Sequence, residues 1–324
     1  MTDTIASLPL VAAQHLSLAY DGTLAVHDVS FEVRRGDVLG FLGPNGAGKS
    51  TTMQMITGNL APSAGQVFID GVDILDDPKH AKARIGYLPE QPPLYRELTV
   101  DEYLRFCARL NHVHKERLNG ALDYAKQRCG LTDCGKRLIG HLSKGYQQRV
   151  GIAQAIIHGP PVVILDEPTV GLDPIQIRDI RNLIRELGND HSVILSTHIL
   201  PEIQAICNRV QIINKGSLVL ADTIEGLRQR MQTSTLTIAL RRAPNSTALL
   251  EIPGVLNAEP LPAGRIRLHH TPDQNPAEAL VERSVREQWG LYELVPERIS
   301  LEDIFVNLTT SETDVVTGVA QVTP

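Results

Sequence analysis

The 324-residue chain has one tryptophan, five phenylalanines and seven tyrosines, only 4% aromatic residues in all. So few rings argue against the base-stacking platforms that single-strand nucleic-acid binders use. Basic residues are not in surplus: 31 Lys and Arg stand against 37 Asp and Glu, a net charge of −6. No nucleic-acid partner is expected, because such partners are met by a broad cationic face. Cysteine is scarce, and Cys129 and Cys134, five apart, fit no common zinc spacing. With Cys107 and Cys207 they are expected to be reduced, mostly buried thiols. No apolar run approaches the roughly 18 residues of a membrane-spanning helix. The first 20 residues lack a basic segment and carry Asp3 early, so no secretory leader is read there. No internal repeat is present.

What the chain does have is core-forming material. Its 42% apolar content excludes a disordered chain, and its length suggests two domains at roughly 100–200 residues each. Strand patterns fall at Val11–Tyr20, Val29–Val33, Asp37–Leu42, Gln66–Ile69 and Ile85–Leu88, with Asp21-Gly22 as a turn and a helix over Lys49–Ile56. After Pro89 the pattern turns helical. Thr99-Val-Asp-Glu102 reads as a capping box, and Tyr103, Phe106, Cys107 and Leu110 follow on one helix face. Helices continue over Leu118–Arg128 and Tyr146–His158. Strands resume at Val162–Leu165, Val193–Ser196 and Val210–Asn214, with a helix over Pro174–Leu187. Alternating strands and helices argue for a largely parallel sheet.

Past Thr223 the order becomes strand (Thr235–Leu240), helix (Ser246–Glu251), two strands (Val255–Glu259, Ile266–His269), helix (Pro276–Trp289) and strand (Leu291–Leu294). That order fits a small ferredoxin-like α+β domain over residues 232–309. A last helix is expected over Leu301–Leu308 and a disordered tail over 310–324. Arg265, Arg267, His269 and His270 make a local basic patch, read as a solvated strand face.

The chemistry concentrates in the first 222 residues. Gly43-Pro-Asn-Gly-Ala-Gly-Lys-Ser50 matches the phosphate-loop pattern between an expected strand and an expected helix. Glycines let backbone N–H groups curl around phosphate oxygens, and the helix start adds its dipole. Gly43, Asn45, Gly46, Gly48, Lys49, Ser50 and Thr51 are therefore candidate phosphate-holding residues of a nucleotide site, with Lys49 on the β/γ-phosphates and the Ser50 hydroxyl on Mg²⁺. Val162-Val-Ile-Leu-Asp166-Glu167 is a buried-type strand ending in two carboxylates. Asp166 is placed to hold Mg²⁺ through water, and Glu167 to polarise the attacking water.

Three further motifs follow in order. These are Leu142-Ser143-Lys144-Gly145-Tyr146-Gln147-Gln148-Arg149, Gly171-Leu172-Asp173 and Ser196-Thr197-His198. With the two above, they make the segment from about residue 10 to 220 resemble the ATP-binding subunits of ABC transporters. Gly171-Leu-Asp-Pro174 and Ser300-Leu-Glu-Asp-Ile-Phe305 resemble the ABC-2-type exporter branch, where ATPase and permease are commonly separate chains.

The resemblance implies a P-loop NTPase (RecA-like) core with a helical signature subdomain at about 90–155. It implies a second ATP-binding subunit, as a homodimer, and a permease on a separate chain at the cytoplasmic face of the membrane. Ser143 and Gly145 would open a helix facing the partner's γ-phosphate, Asp173 would lie at the dimer interface, and His198 would contact γ-phosphate. Tyr20, 23 residues before Gly43, would stack on adenine.

Two motifs depart from the family pattern. Lys144 and Tyr146 stand where the family signature has glycine and glutamine. Glu90 stands where the family places a metal-contacting glutamine, with Gln91 one residue later as the alternative.

A regulatory GTPase would need Asn-Lys-x-Asp, and Asn214-Lys-Gly-Ser217 lacks the aspartate. The other reading is a soluble ABC-type ATPase acting outside transport. Such proteins usually carry two nucleotide domains or a long coiled coil, and neither is seen here. The C-terminal region carries no chemistry motif. It could bind a ligand, help dimerise the subunits or cover a sheet edge.

Overall fold

A computed structural model describes residues 8–230, 232–271 and 273–298. The chain forms two compact units, divided in sequence between Ile224 and Glu225. In the first, the elements run β1 (Val11–Tyr20), β2 (Thr23–Val33), β3 (Val38–Leu42), α1 (Lys49–Ile56), β4 (Ala64–Ile69), β5 (Val72–Asp73), α2 (Pro78–Lys82) and β6 (Ile85–Leu88). The helical stretch α3 (Val100–Leu110), α4 (Leu118–Cys129) and α5 (Lys144–Ile156) follows. Then come β7 (Val162–Asp166), α6 (Pro174–Leu187), β8 (Ser192–Thr197), α7 (Leu200–Ile206), β9 (Arg209–Asn214) and β10 (Ser217–Thr223), and α8 (Ile224–Arg230) begins at the division and runs into the second unit.

Two sheets share this unit. One has the order β10-β9-β3-β8-β7-β6, parallel throughout except for the β9–β10 hairpin at its edge. Every residue of β3, β7 and β8 is buried. That explains their unbroken apolar runs, because a parallel strand covered on both faces has no polar side to alternate. The other sheet, β2-β1-β4-β5, is antiparallel. The sequence pattern does not separate the two sheets, although the Asp21-Gly22 turn between the first two strands fits the β1–β2 hairpin found here. Strand β2 also begins at Thr23, directly after the Asp21-Gly22 turn, where Asp21 takes φ 46° and Gly22 φ 81°.

The helices start where local chemistry allows. Thr99 caps α3 with a full capping box: its side chain accepts from the Glu102 N–H and Glu102 accepts from the Thr99 N–H. α4 ends at Gly130 in the left-handed region. Short elements without a strong period were not read from sequence: β5, α2, α7, β10 and α8. All four cysteines are free and buried, as expected.

The second unit runs β11 (Gln232–Leu240), α9 (Ser246–Leu250), β12 (Val255–Pro260), β13 (Arg265–His270), α10 (Ala277–Arg286) and β14 (Leu291–Arg298). Its sheet is antiparallel, in the order β12-β13-β11-β14. The helix expected to reach Trp289 stops at Arg286. Gln288 (φ 58°) and Gly290 (φ 68°) turn the chain, and Trp289 joins the unit's core.

The basic patch divides. Arg265 pairs with Glu293, and Arg267 and His269 approach Glu259, while His270 is buried. The helix expected over Leu301–Leu308 and the tail over 310–324 lie outside the described residues.

Candidate functional site

The parallel strands deliver their carboxyl ends to one edge of the sheet. Leu42 of β3 pairs with Thr197 of β8, Asp166 of β7 with Ser196, and Leu88 of β6 with Leu165. The residues immediately beyond these ends are Gly43, His198, Glu167 and, two past Leu88, Glu90. Ligands of open α/β sheets bind in this crevice beyond the strand ends.

A cleft of about 370 Å³ opens there, lined by Asn45, Gly46, Gly48, Lys49, Ser50, Thr51, Glu90, Glu167 and His198, with Ala25 and Val170. Of the residues singled out from sequence, Gly43, Asp166, Tyr20, Ser143, Gly145 and Asp173 are not among its lining. Gly43 forms the floor of the loop, and its carbonyl accepts from Lys49 Nζ at 2.9 Å. Ala25 and Val170 carried no sequence signal, being ordinary apolar residues of a strand and a turn.

Two glycines of the loop are required by space. Gly48 lies at φ 102°, and a Cβ there would stand 2.6 Å from the Ala25 carbonyl oxygen. A Cβ on Gly43 would stand 2.5 Å from the Ile213 carbonyl oxygen. Loop backbone thus packs directly on the neighbouring strands, leaving its N–H groups and the start of α1 to face the cleft.

Lys49 and Glu167 are both buried, and Lys49 Nζ lies 3.3 Å from Glu167 Oε1. Lys49 also donates to the Pro44 carbonyl at 3.2 Å. His198 Nδ1 lies 3.0 Å from both oxygens of Glu167. Glu167 therefore bridges a lysine and a histidine delivered by different strands. Its own backbone sits in the left-handed region at φ 47°.

Asp166 lies deeper. Burial raises its carboxyl above the ordinary range, and the carboxylates of Glu167 and Glu90 add to this, while the hydroxyls of Ser196 and Ser50 pull it down. Its Oδ1 is buried without a hydrogen-bond partner among the described residues. An orphaned carboxylate oxygen beside Ser50 is the donor set a hard divalent cation such as Mg²⁺ takes, completed by phosphates and water. Among the described residues no cluster of three or more His, Cys, Asp or Glu side chains forms an all-protein metal cage.

The remaining motif residues meet elsewhere. Ser143 caps α5, its side chain accepting from the Tyr146 N–H. Asp173 caps α6, accepting from the Ile175 and Gln176 N–H groups at 3.0 and 2.9 Å. The two helix starts touch, since a Cβ on Gly145 would stand 2.7 Å from the Gln176 side chain. The Lys144 side chain lies over Gly171. Tyr20 is half-exposed at the end of β1. Glu90 lines both this cleft and the neighbouring one beside Lys144, whereas Gln91 lines only the second.

A Gly-rich loop between β3 and α1, with its lysine set against carboxylates at the end of β7, defines a P-loop nucleotide hydrolase. Within that class, the sequence model for the family described as ABC transporter matches residues 26–170. The ABC transporter ATP-binding protein YxlF of Bacillus subtilis is 30% identical, over 92% of this chain and 99% of that protein. The bacitracin transport ATP-binding protein BcrA of Bacillus licheniformis is 38% identical, over 68% of this chain and 72% of that protein. The solved structure of cbiO1 from Clostridium perfringens, part of the ABC transporter complex cbiONQ, superposes with TM-score 0.63 at 29% identity. It covers 68% of this chain and 90% of that one. The chain belongs to the ABC transporter ATP-binding family, and it is an ATPase of that family.

Proposed function

We propose that this chain is the ATP-hydrolysing subunit of an ABC exporter, acting as a homodimer on a separate membrane permease from the cytoplasmic face. The observation that carries the reading is the convergence of Lys49, Glu167 and His198 at the carboxyl ends of β3, β7 and β8. These side chains are arranged to hold and attack a γ-phosphate. Gly43, Asn45, Gly46, Gly48, Lys49 and Thr51 bind the phosphates, and Tyr20 stacks on adenine. Ser50, Asp166 and Glu90 hold Mg²⁺, which when bound offsets phosphate charge. Glu167 takes the proton of the attacking water, and His198 orients the phosphate. Ser143 and Gly145, at a helix start, offer N–H groups to the nucleotide of the opposite subunit, and Asp173 lines that interface.

Residues 1–222 serve as the ATP-binding domain. The second unit's strand order and two helices support a ferredoxin-like domain over 232–309. The helical subdomain carries the permease contact. Tyr95 and Phe106 lie edge to face with ring centroids 5.6 Å apart, and both are exposed beside Leu110. An apolar patch of this kind suits a protein partner. Among the described residues no helix is long and apolar enough to cross a membrane, so the pathway would belong to that partner.

The tagged chain, isolated from detergent-solubilised membranes, is expected to bring down a polytopic membrane protein in fixed ratio. Recovery of the chain without any such partner, in the membrane-free fraction alone, would favour the soluble ABC-type ATPase instead.

A further inference from the structure

Glu202 belongs to none of the motifs, yet it is fully buried, in the first turn of α7. Its Oε1 accepts from the Thr169 hydroxyl at 2.6 Å and from Arg181 Nη2 at 3.4 Å. Its Oε2 accepts from the Thr197 hydroxyl at 2.9 Å. Thr197 Oγ1 in turn accepts from the Ile199 N–H at 3.1 Å. Both threonines are buried.

The two threonines sit on the two loops that build the hydrolytic face of the cleft. Thr169 lies two residues past Glu167, in the turn closed by Val170 N–H to Glu167 O (3.2 Å) and Leu172 N–H to Thr169 O (3.2 Å). Thr197 ends β8 and precedes His198. One carboxylate therefore holds the Glu167 loop with one oxygen and the His198 loop with the other. The helix start of α7 and the Arg181 guanidinium suit its negative charge. A buried carboxylate is expensive unless its bonds are complete, which makes this clamp stiff.

We infer that Glu202 is a positioning residue for hydrolysis: by tying Thr169 to Thr197, it fixes the Glu167–His198 separation on which attack at the γ-phosphate depends. The inference rests on the reading of Glu167 as the base. Glu202 is fully buried and lies outside the lining of the cleft, so its loss should spare binding and slow turnover.

The test compares Glu202→Gln, Thr169→Val and Thr169→Ser in the full chain. ATP affinity is read by nucleotide titration and kcat by phosphate release at saturating ATP. Glutamine keeps the shape but cannot accept from both hydroxyls and the guanidinium. Glu202→Gln and Thr169→Val should lower kcat at least about tenfold, with ATP affinity within about threefold of wild type. Thr169→Ser restores the hydroxyl and should turn over like wild type. In a Glu167→Gln background, Glu202→Gln should add little, because the group it positions is already gone.

Wild-type turnover in Thr169→Val, or a full multiplicative loss in the double variant, overturns the inference. Should Glu202→Gln not fold, the Thr169 pair decides alone. If Glu167→Gln itself hydrolyses normally, it is the assignment of the base that has failed, a separable result.

Discussion

Glu167→Gln puts the site's electrostatics to a quantitative test. Glu167 and Lys49 are 3.3 Å apart and both buried. At an effective dielectric of about 20 their gross attraction is about 5 kcal/mol, part of which desolvation cancels. Nucleotide phosphates need the same ammonium, so binding must loosen this internal pair. Glutamine removes the competing charge and keeps the shape. If only about a quarter of the gross attraction opposes binding, ATP affinity should rise about tenfold.

Hydrolysis should move the other way. Loss of a general base costs on the order of 10²–10⁴ in rate, or about 3–5 kcal/mol of barrier. Two assays separate the effects: equilibrium titration with ATP, and phosphate release at saturating MgATP. Size-exclusion chromatography with MgATP adds a third observable, because trapped nucleotide should hold two copies together. Turnover within tenfold of wild type would refute the base assignment, and weaker ATP binding would refute the competition argument.

Gly48→Ala should lose nucleotide binding and about 1–3 kcal/mol of stability, since its φ is 102° and the new Cβ meets the Ala25 carbonyl; urea melts and nucleotide titration read the two losses. Burial pushes the largely buried His158 down to about 4, the Ile85 carbonyl pulls back, and nearby His191 adds to the fall. Its unfolded value near 6.5 is higher, so the unfolded chain binds the extra proton between pH 6.5 and 4. Stability is therefore intact above 6.5 and falls as pH drops, by up to about 1.4 kcal/mol per pH unit from this group. Denaturation midpoints across that window should flatten in His158→Gln, and an unchanged slope would refute the assignment. Glu90→Ala should lose hydrolysis more than ATP affinity and need more Mg²⁺, whereas Gln91→Ala should change neither. A Mg²⁺ titration in which only the Gln91 variant shifts would move the metal-shell role by one residue.

Much of the core was legible because β3, β7 and β8 are buried on both faces and read as plain apolar runs, while α3 and α6 carry a clear 3.6-residue period. The antiparallel sheet was harder. β1 and β2 bend through bulges where His15 (φ 53°) and Asp28 (φ 50°) break the alternation, and pairing partners are not written in a strand's own residues. Motifs named Lys49, Ser50, Glu90, Glu167 and His198, and these five line one cleft. The Glu202 clamp was illegible. A glutamate after a proline in a seven-residue helix looks like a solvated charge until the fold buries it between Thr169 and Thr197. Ion pairs across β13 were likewise hidden, since Glu259 and Glu293 arrive from separate strands.

The left-handed backbone of Glu167 has an evolutionary consequence. A residue with a Cβ at φ 47° sits in a region that glycine, and to a lesser degree asparagine, occupies at lower cost. Substitution by either would relax the turn after β7, a gain of about 1–2 kcal/mol. It would also leave the buried Lys49 ammonium without its carboxylate, and breaking a buried pair from one side costs about 3–5 kcal/mol. The ion pair therefore outweighs the strain, and a population selected for thermostability alone should keep glutamate at 167.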